Sequence, residues 1–456
     1  MHRNRTAIVF TCALATLSGI VVAAGQTAEM PAVVSRPSVE VRSSPDFSAP
    51  AIAKLNRDAA VKIAGQQGLW FRLNMADKAG PASKTGFVRV NDVRMAYSGK
   101  ENSDANMRAL FTGKAGKGRV SETASVRGID ESDLQSAGFD AAQLARLDGY
   151  RLTPAAAAAQ ARASGWSDSA VPYALESKPA AAGGRKQSSQ SQKRAGLSAA
   201  RGILSRIGGN IGSNAGAVAD VADKAVPKSE QELAEEELAL GPQIAGRILG
   251  AAPLWKDDAA QRRVNQIGRW LASHTSRPEL PWTFGIIDDS EVNAYAAPGG
   301  YVLITRGLYN LLADDGEVAA VLGHEISHAV QRDHYEVIRK QEMTSVGTNI
   351  AASRVNVGGG IAGSYAKDYA QKHGAKIALA RLDREAEFRS DEAAEIYLAR
   401  SGFNPLSMYM VLQKMTALGT ASAKLAQLYK THPPLADRLD RIDRRGYAGL
   451  QTYTQR

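Results

Sequence analysis

Apolar residues recur at spacings of three and four around residue 320, and this pattern predicts an α-helix. The apolar positions are Val318, Val321, Leu322 and Ile326. Two acidic residues precede the run, and either Asp314 or Asp315 can serve as the N-cap, because a carboxylate accepts hydrogen bonds from the first helical turn. We therefore predict that residues 318–330 lie in a helix.

The same part of the chain, residues 229–446, combines helical patterns with two short strand patterns. An acidic run at its start predicts the first helix. Residues 384–391 predict another helix, on which Glu387 and Asp391 share one face because they are four positions apart. The strand patterns lie at residues 282–287 and 301–305. We predict an α+β domain that is mainly helical and contains a small sheet.

Near the start of the chain, residues 32–97 contain short runs of alternating apolar and polar residues, separated by turns. The runs are residues 39–42, 60–63, 69–73 and 86–90. Alternation with a period of two is typical of β-strands. Several such runs in so short a segment predict a small all-β barrel. The letters V-x-V-R-S-x-P, then G-x-W-F-R-L, then G-F-V resemble the bacterial SH3-like domain. Trp70 and Phe71 form either an aromatic binding surface or part of the barrel core.

Residues 98–228 contain weaker patterns, which predict a helical segment followed by a flexible linker. The runs with helix-forming composition are residues 123–151 and 153–164. Asp130 and Asp140 are the candidate N-caps for them. Residues 178–193 are rich in Ala, Gly, Ser, Gln and Lys, a composition typical of flexible linkers.

Residues 1–25 have the pattern of a secretory signal peptide: Arg3 and Arg5, an apolar stretch, then small residues. A membrane anchor is the alternative interpretation, but the apolar stretch is short and polar residues interrupt it. The only cysteine, Cys12, lies inside this segment, so the mature chain has no thiol. Export without a need for disulfides fits a periplasmic location. No later run is long and apolar enough to span a bilayer, so we predict no transmembrane span in the mature chain.

The formal net charge of +10 falls to +8 when Arg3 and Arg5 are removed with the signal. The positive excess is spread along the chain, and no segment resembles a nucleic-acid-binding module. We therefore predict no nucleic-acid partner. The apolar content of 44% suffices for a sizeable core.

The helix predicted around residue 320 contains the motif H-E-x-x-H. His324 and His328 are four apart and project from one face, so both imidazoles can bind the same ion. Glu325 lies about 100° round the helix, where it reaches a metal-bound water rather than the metal. Zinc lowers the pKa of that water, and the carboxylate takes its proton as it attacks a carbonyl. A surface helix with two histidines is the alternative on spacing alone.

Catalytic zinc takes three protein ligands and keeps one position open, so a third ligand is needed. His334 lies six residues after His328, but the glycine that would turn the chain between them is Gln331 here. A continued helix directs His334 away from the ion, and we predict a surface histidine. Glu387 is the better candidate, with Asp391 on the same face to accept an imidazole N–H and fix its tautomer.

Three motifs in order, H-E-I-S-H at 324–328, E-F-R-S-D at 387–391 and T-H-P-P at 431–434, resemble the gluzincin family of HtpX, BepA and the CAAX prenyl proteases. The soluble periplasmic branch is the most similar one. The resemblance covers about residues 228–446 and implies a zincin-like fold with one zinc ion per chain. It implies zinc ligands His324, His328 and Glu387, general base Glu325, and Asp391 as the partner of a ligand.

The resemblance also gives roles to residues outside these helices. It places Asn293 at the cleft as a substrate contact, although a plain hairpin turn explains residues 293–300 equally well. It makes His432 an active-site residue, which either stabilises the oxyanion or occupies the open zinc position. Arg438 either orients nearby carboxylates or forms a surface salt bridge. The glycine-rich residues 341–376 form either a mobile lid or small-residue helices and loops.

These observations predict a secreted, periplasmic, zinc-dependent endopeptidase that hydrolyses extended or unfolded envelope proteins. The SH3-like domain would bind cell wall or envelope proteins. The alternative is a chaperone or adaptor that binds envelope clients and keeps a latent metal site. The complete set of catalytic residues favours the enzyme.

Overall fold

The computed structural model describes residues 29–76, 83–96, 129, 131–174, 176, 230–334, 337, 370–371, 374–375, 377–379, 381–419 and 422–456. The predicted signal peptide, the linker at 178–193 and Asp130 lie outside these residues, as does most of the segment 341–376. Helix and strand are mixed, as predicted for an α+β chain.

An antiparallel sheet of seven strands forms the N-terminal part, in the order β3-β2-β6-β5-β4-β1-β7. The strands are β1 (Met30–Val34), β2 (Ser38–Arg42), β3 (Ala51–Asn56), β4 (Ala60–Gln67), β5 (Trp70–Ala76), β6 (Ser83–Arg89) and β7 (Val93–Met95). The four predicted runs fall on β2, β4, β5 and β6, so these strand predictions are confirmed. The SH3-like identity of the sheet stays a prediction.

The two adjacent aromatic residues of β5 are both buried. Phe71 packs among apolar side chains inside the sheet's core. Trp70 makes an edge-to-face contact with Phe47, whose ring centroid is 5.1 Å away and whose side chain is 43% exposed. The core interpretation therefore accounts for Phe71, while a binding role for Trp70 is untested.

Among the described residues in the middle of the chain are three short helices: α1 (Glu131–Ser136), α2 (Ala141–Asp148) and α3 (Pro154–Ala163). Asp140 is the N-cap of α2, since its carboxylate accepts a hydrogen bond from the backbone N–H of Gln143. Thr153 caps α3 in the same way, and Pro154 occupies the first helical position, where its missing N–H costs nothing.

A long helix, α4 (Glu230–Ala251), corresponds to the predicted acidic helix, but part of its acidic run is buried. Glu237 forms ion pairs with both Arg277 and Arg332. Gly241 lets α4 approach a turn, because a Cβ there would lie 2.1 Å from the carbonyl oxygen of Pro298. Helix α4 thus packs against the turn that precedes the last strand of the second sheet.

The second sheet has three strands in the order β8-β10-β9: β8 (Thr283–Ile287), β9 (Ala294–Ala297) and β10 (Tyr301–Thr305). Strands β8 and β10 are parallel and match the two predicted strands. Strand β9 is antiparallel to β10 and lies at one edge. The sequence analysis assigned its residues to a loop or turn, so this strand was missed.

The other α-helices that the structure describes are α5 (Asp258–Ala272), α6 (Arg306–Tyr309), α7 (Asp315–Gln331), α8 (Arg384–Arg400), α9 (Leu406–Ala417), α10 (Ala426–Thr431) and α11 (Leu435–Arg445). Helix α7 is the predicted H-E-x-x-H helix, and Asp314 is its N-cap. It packs against α5, α8 and α9. A fully buried ion pair of 2.6 Å between Glu317 and Lys414 holds its first turn against α9. Over the described ranges, no helix is long and apolar enough to cross a membrane.

Candidate metal site

Two histidines lie on one face of α7, as their spacing predicts. His324 and His328 are both buried, and their ring centroids are 4.7 Å apart. Their Nε2 atoms approach to 3.1 Å. Helix α7 thus brings two imidazole nitrogens to the same point inside the protein.

Helix α8 and the loop after α10 direct two more donor groups to that point. Glu387 Oε2 lies 3.5 Å from His324 Nε2, and its Oε1 lies 3.8 Å from His328 Nε2. His432 Nε2 lies 3.7 Å from Glu387 Oε2. One donor atom from each of the four residues lies within 4.8 Å of all the others. The structure therefore brings together the three predicted zinc ligands and His432.

The donor set fits a divalent zinc ion. The Nδ1 atoms of His324 and His328 each face a carboxylate, at 3.0 Å and 2.8 Å. That arrangement places the proton on Nδ1 and leaves the Nε2 lone pairs directed at each other, which is unfavourable without a cation between them. Glu387 Oε2 is buried and has no hydrogen-bond partner among the described residues. Burial alone would raise the pKa of Glu387, but His432 and the α7 histidines lower it below its usual range.

Asp391 contacts the Nδ1 side of the His324 ring, and Arg438 in turn contacts Asp391. Asp391 Oδ1 lies 3.0 Å from His324 Nδ1, and Arg438 Nε donates to Asp391 Oδ2 at 2.9 Å. Burial opposes ionisation of Asp391, but Arg438 lowers its pKa to about 2. Arg438 is buried, so the surface salt bridge considered for it was wrong. Its position fits the other interpretation, in which it orients a carboxylate.

His334 is buried, so its prediction as a surface histidine was wrong. With Gln331 in place of a turn-forming glycine, the sequence predicts a continued helix after His328. Instead Arg332 takes the left-handed conformation, with φ 58°, and ends α7. Its ion pair with Glu237, at 3.0 Å, offsets the strain of about 1–2 kcal/mol that this conformation costs a non-glycine residue. His334 then lies beside His328, with ring centroids 6.3 Å apart.

The turn at Arg332 brings Asp333 close to His328, a contact that was not predicted from the sequence. Asp333 Oδ2 lies 2.8 Å from His328 Nδ1, and Arg389 Nη2 donates to Asp333 Oδ1 at 3.0 Å. Ser390 Oγ also approaches His328 Nδ1, at 3.1 Å. No local sequence signal marks an arginine that will adopt a left-handed conformation, so Asp333 could not be placed beforehand.

We expect Asp333→Asn to weaken zinc binding by about tenfold, because loss of a histidine's carboxylate partner typically costs 10- to 100-fold in metal affinity. A competition titration with a chromogenic chelator measures the dissociation constant. Asp288→Asn is the matched control, since Asp288 forms an exposed ion pair with Arg306 at a distance from the site. Equal zinc affinity in the two variants would contradict a supporting role for Asp333.

Glu325 lies in the same cleft, next to the donor cluster. Burial raises the pKa of its carboxyl above the usual value, with a further contribution from the charge of Glu387. The cleft beside Glu325, His328, Glu387 and His432 holds a cavity of about 20 Å³, enough for a single water molecule. A carboxylate with a raised pKa, next to space for one water molecule, is suited to accept a proton from water.

Strand β9 borders this cleft through Ala294, Tyr295 and Ala296. Among the described strands, only β10 pairs with β9, which therefore forms one edge of this sheet. Asn293 precedes the strand and lines the cleft. Its side-chain Oδ1 is buried without a hydrogen-bond partner in the part of the chain that the structure describes. The structure thus places Asn293 near the predicted ligands and also shows the hairpin that was its alternative explanation.

Comparison with known proteins shows similarity over the same region. Residues 258–446 match the sequence model of Peptidase family M48. The Escherichia coli K12 protein named beta-barrel assembly-enhancing protease is 28% identical over 213 residues, which cover 45% of this chain and 42% of that protein. The chain therefore spans less than half the length of this relative.

Two other relatives match shorter stretches. The metalloprotease LoiP of Escherichia coli is 26% identical over 172 residues, 38% of this chain and 66% of its own length. The mitochondrial metalloendopeptidase OMA1 of Arabidopsis thaliana is 27% identical over 154 residues, 34% of this chain and 29% of its own length. The matched segment contains α7, α8, α11 and His432, which together supply the donor cluster and its supports. Over residues 258–446 the chain is therefore similar to the peptidases of family M48.

Proposed function

We propose that this protein is a zinc-dependent endopeptidase of the cell envelope that cleaves unfolded or misassembled proteins. One observation supports this above the others: His324, His328 and Glu387 converge on one point, with the buried carboxylate of Glu325 beside it. Three protein donors, a fourth position and an adjacent carboxylate are the components of a metallopeptidase site of the H-E-x-x-H type.

The proposed mechanism assigns each residue a limited task. His324, His328 and Glu387 hold the ion, which when bound polarises the scissile carbonyl and lowers the pKa of water. Glu325 accepts a proton from the attacking water and then gives it to the leaving amine. Asp391 and Asp333 keep the two imidazoles in the tautomer that presents Nε2 to the ion.

His432 is proposed as an active-site residue, and its position favours occupation of the fourth donor site in this conformation. Its Nε2 is part of the four-donor cluster, and the adjacent cavity has no room for a peptide. Stabilisation of the oxyanion is the other role. The loop that contains His432 would have to move for the two roles to alternate.

We expect His432→Ala to retain zinc and to cleave unfolded casein several times faster than the wild type, because the fourth position becomes available to substrate. Initial cleavage rates at matched zinc content measure the effect. Loss of cleavage in His432→Ala would instead assign this residue to oxyanion stabilisation, where one donor typically contributes about 100- to 1,000-fold in rate.

Extended or unfolded chains are the proposed substrates. Strand β9 borders the cleft and is an edge strand among the described strands, and an edge strand can bind an extended peptide through main-chain hydrogen bonds. Main-chain pairing contacts the backbone of the substrate more than its side chains, so we propose a loose preference for substrate sequence. Asn293, with its unpaired Oδ1, is proposed as a substrate contact. The name of the assembly-enhancing relative supports protein substrates of this kind.

The proposed location is the periplasm, which rests on the signal-like pattern of residues 1–25. The N-terminal sheet, if SH3-like, is proposed to bind cell wall or envelope proteins. Nucleic acid is not a proposed partner. The proposed organisation is a signal at 1–25, the sheet domain at 32–97, a helical and linker region at 98–228, and the peptidase domain at 229–446.

Metal analysis of freshly purified, unchelated protein tests the proposed function. We expect about one zinc per chain, cleavage of unfolded casein, loss of cleavage after dialysis against a strong chelator, and recovery when zinc is returned. Protein without zinc before any chelation would refute the proposal at its centre.

The second candidate is a chaperone or adaptor with a latent metal site. The small cavity favours it, because a cleft of about 20 Å³ does not admit a peptide without rearrangement. Zinc present with no cleavage in wild type or in His432→Ala would support this candidate.

A further inference from the structure

Helix α11 lies between the candidate metal site and the N-terminal sheet. On its inner side, Arg438 donates to Asp391, which contacts His324 Nδ1. On its outer side, Asp440 and Asp443 face strand β7, where both form ion pairs with Arg94. One short helix therefore connects a buried metal-site contact with a contact to the sheet.

The outer contact is well defined. Arg94 Nη2 lies 2.6 Å from Asp443 Oδ2 and 3.0 Å from Asp440 Oδ1, while Arg94 Nε donates to Asp443 Oδ2 at 3.1 Å. Arg36 approaches the other oxygen of Asp443 at 3.0 Å. The side chains of Arg94 and Asp443 are 22% and 20% exposed, so this pair is shielded more than a surface ion pair.

The backbone on both sides of Arg94 is fixed independently. Gln413 of α9 is buried, and its amide donates to the carbonyl oxygen of Val93 at 2.6 Å. Its Oε1 accepts from the N–H of Met95 at 3.0 Å. Since Val93 and Met95 flank Arg94, the guanidinium extends from a backbone that α9 holds in place.

Helix α8 fixes the same short helix from the opposite side. Glu395 pairs with Arg445, and Arg384 pairs with Asp437 at 2.7 Å. With the ion pair between Asp391 and Arg438, the charged positions of α11 meet partners on α8 and on β7. These contacts connect the helix that contains Arg438 to both α8 and β7.

We propose that Arg94 of the N-terminal sheet is a positioning residue of the metal site, acting through α11 and Arg438 on Asp391 and His324. The sheet domain is then a structural part of the peptidase site rather than only a tethered binding module. This inference rests on the proposed zinc site, and it assigns a role to a residue outside the segment that matches the family.

The test compares zinc dissociation constants of the full chain by chelator competition. We expect Arg94→Gln to weaken zinc binding about two- to fivefold, the range of a partly shielded ion pair. Arg146→Gln is the matched control, because Arg146 pairs with Asp258 between α2 and α5, and its zinc affinity should equal that of the wild type. Asp443→Asn removes the same contact from α11 and should reproduce the effect if Arg94→Gln folds poorly.

A double-mutant cycle separates positioning from general destabilisation. Arg438→Gln alone should weaken zinc binding by about tenfold or more. In the Arg438→Gln background, adding Arg94→Gln should leave zinc affinity unchanged, because the contact between Arg438 and Asp391, through which Arg94 acts, is already absent. Thermal stability should still fall.

Additive effects on zinc affinity, or wild-type affinity in both Arg94→Gln and Asp443→Asn, would overturn the inference while leaving the proposed function intact. A wild-type chain that binds no zinc would overturn both.

Discussion

Glu325→Gln should abolish peptide-bond hydrolysis while the zinc content stays near one per chain. Glutamine has nearly the same volume as glutamate and fits the same buried position, but it cannot accept a proton from water. General acid–base catalysis typically contributes 100- to 10,000-fold, so we expect a loss within or above that range. Initial rates on unfolded casein, with metal content measured on the same samples, provide the comparison.

This variant also separates the two candidate functions. An adaptor that only binds clients does not need the Glu325 carboxylate, so a client-assembly assay should give the wild-type result with Glu325→Gln. An endopeptidase needs it, and the assay should fail. Cleavage at the wild-type rate in Glu325→Gln would remove this residue from the mechanism.

Glu387→Gln should release the zinc. Its carboxylate is the only anionic donor in the cluster, it is almost fully buried, and its Oε2 meets no hydrogen-bond donor among described residues. The neutral amide is a poor ligand, so we expect a loss of zinc affinity greater than the roughly 100-fold upper limit for residues that only support a ligand. Cleavage should fall with zinc content.

Glu385→Gln is the matched control for this substitution. Glu385 lies on the same helix, two residues before Glu387, but its side chain is 66% exposed and pairs loosely with Arg441. It should keep wild-type zinc affinity and activity. If Glu387→Gln kept one zinc per chain after passage over a chelating resin, a different residue would have to be the third ligand.

Much of the site was predictable from sequence because its residues follow helical spacing. His324, Glu325 and His328 lie within one helix, and Glu387 and Asp391 within another, so their relative positions depend on local geometry alone. The structure brings these five residues and His432 together, although their roles as ligands and catalysts remain predictions. Four of the seven described N-terminal strands were predictable because alternation over several residues is a strong local signal.

What the sequence did not reveal depends on tertiary contacts. Strand β9 is four residues long and contains three alanines, which have low strand propensity, so only pairing with β10 makes it a strand. Asp333 reaches His328 only because Arg332 adopts a conformation that its distant contact with Glu237 helps to stabilise. Arg438 is 114 residues from His324 along the chain, and an arginine on a highly charged helix gave no sign that it would be buried.

The ion pairs of Glu237 have a practical consequence for recombinant fragments. The family match begins at residue 258, after α4 has ended, yet Glu237 contacts both Arg277 and Arg332. A truncated protein that starts at the family boundary would lose this carboxylate and the packing of Gly241 on Pro298. The smallest fragment expected to keep the turn after α7 therefore begins upstream of α4, and the autonomous unit is longer than the segment that sequence similarity delimits.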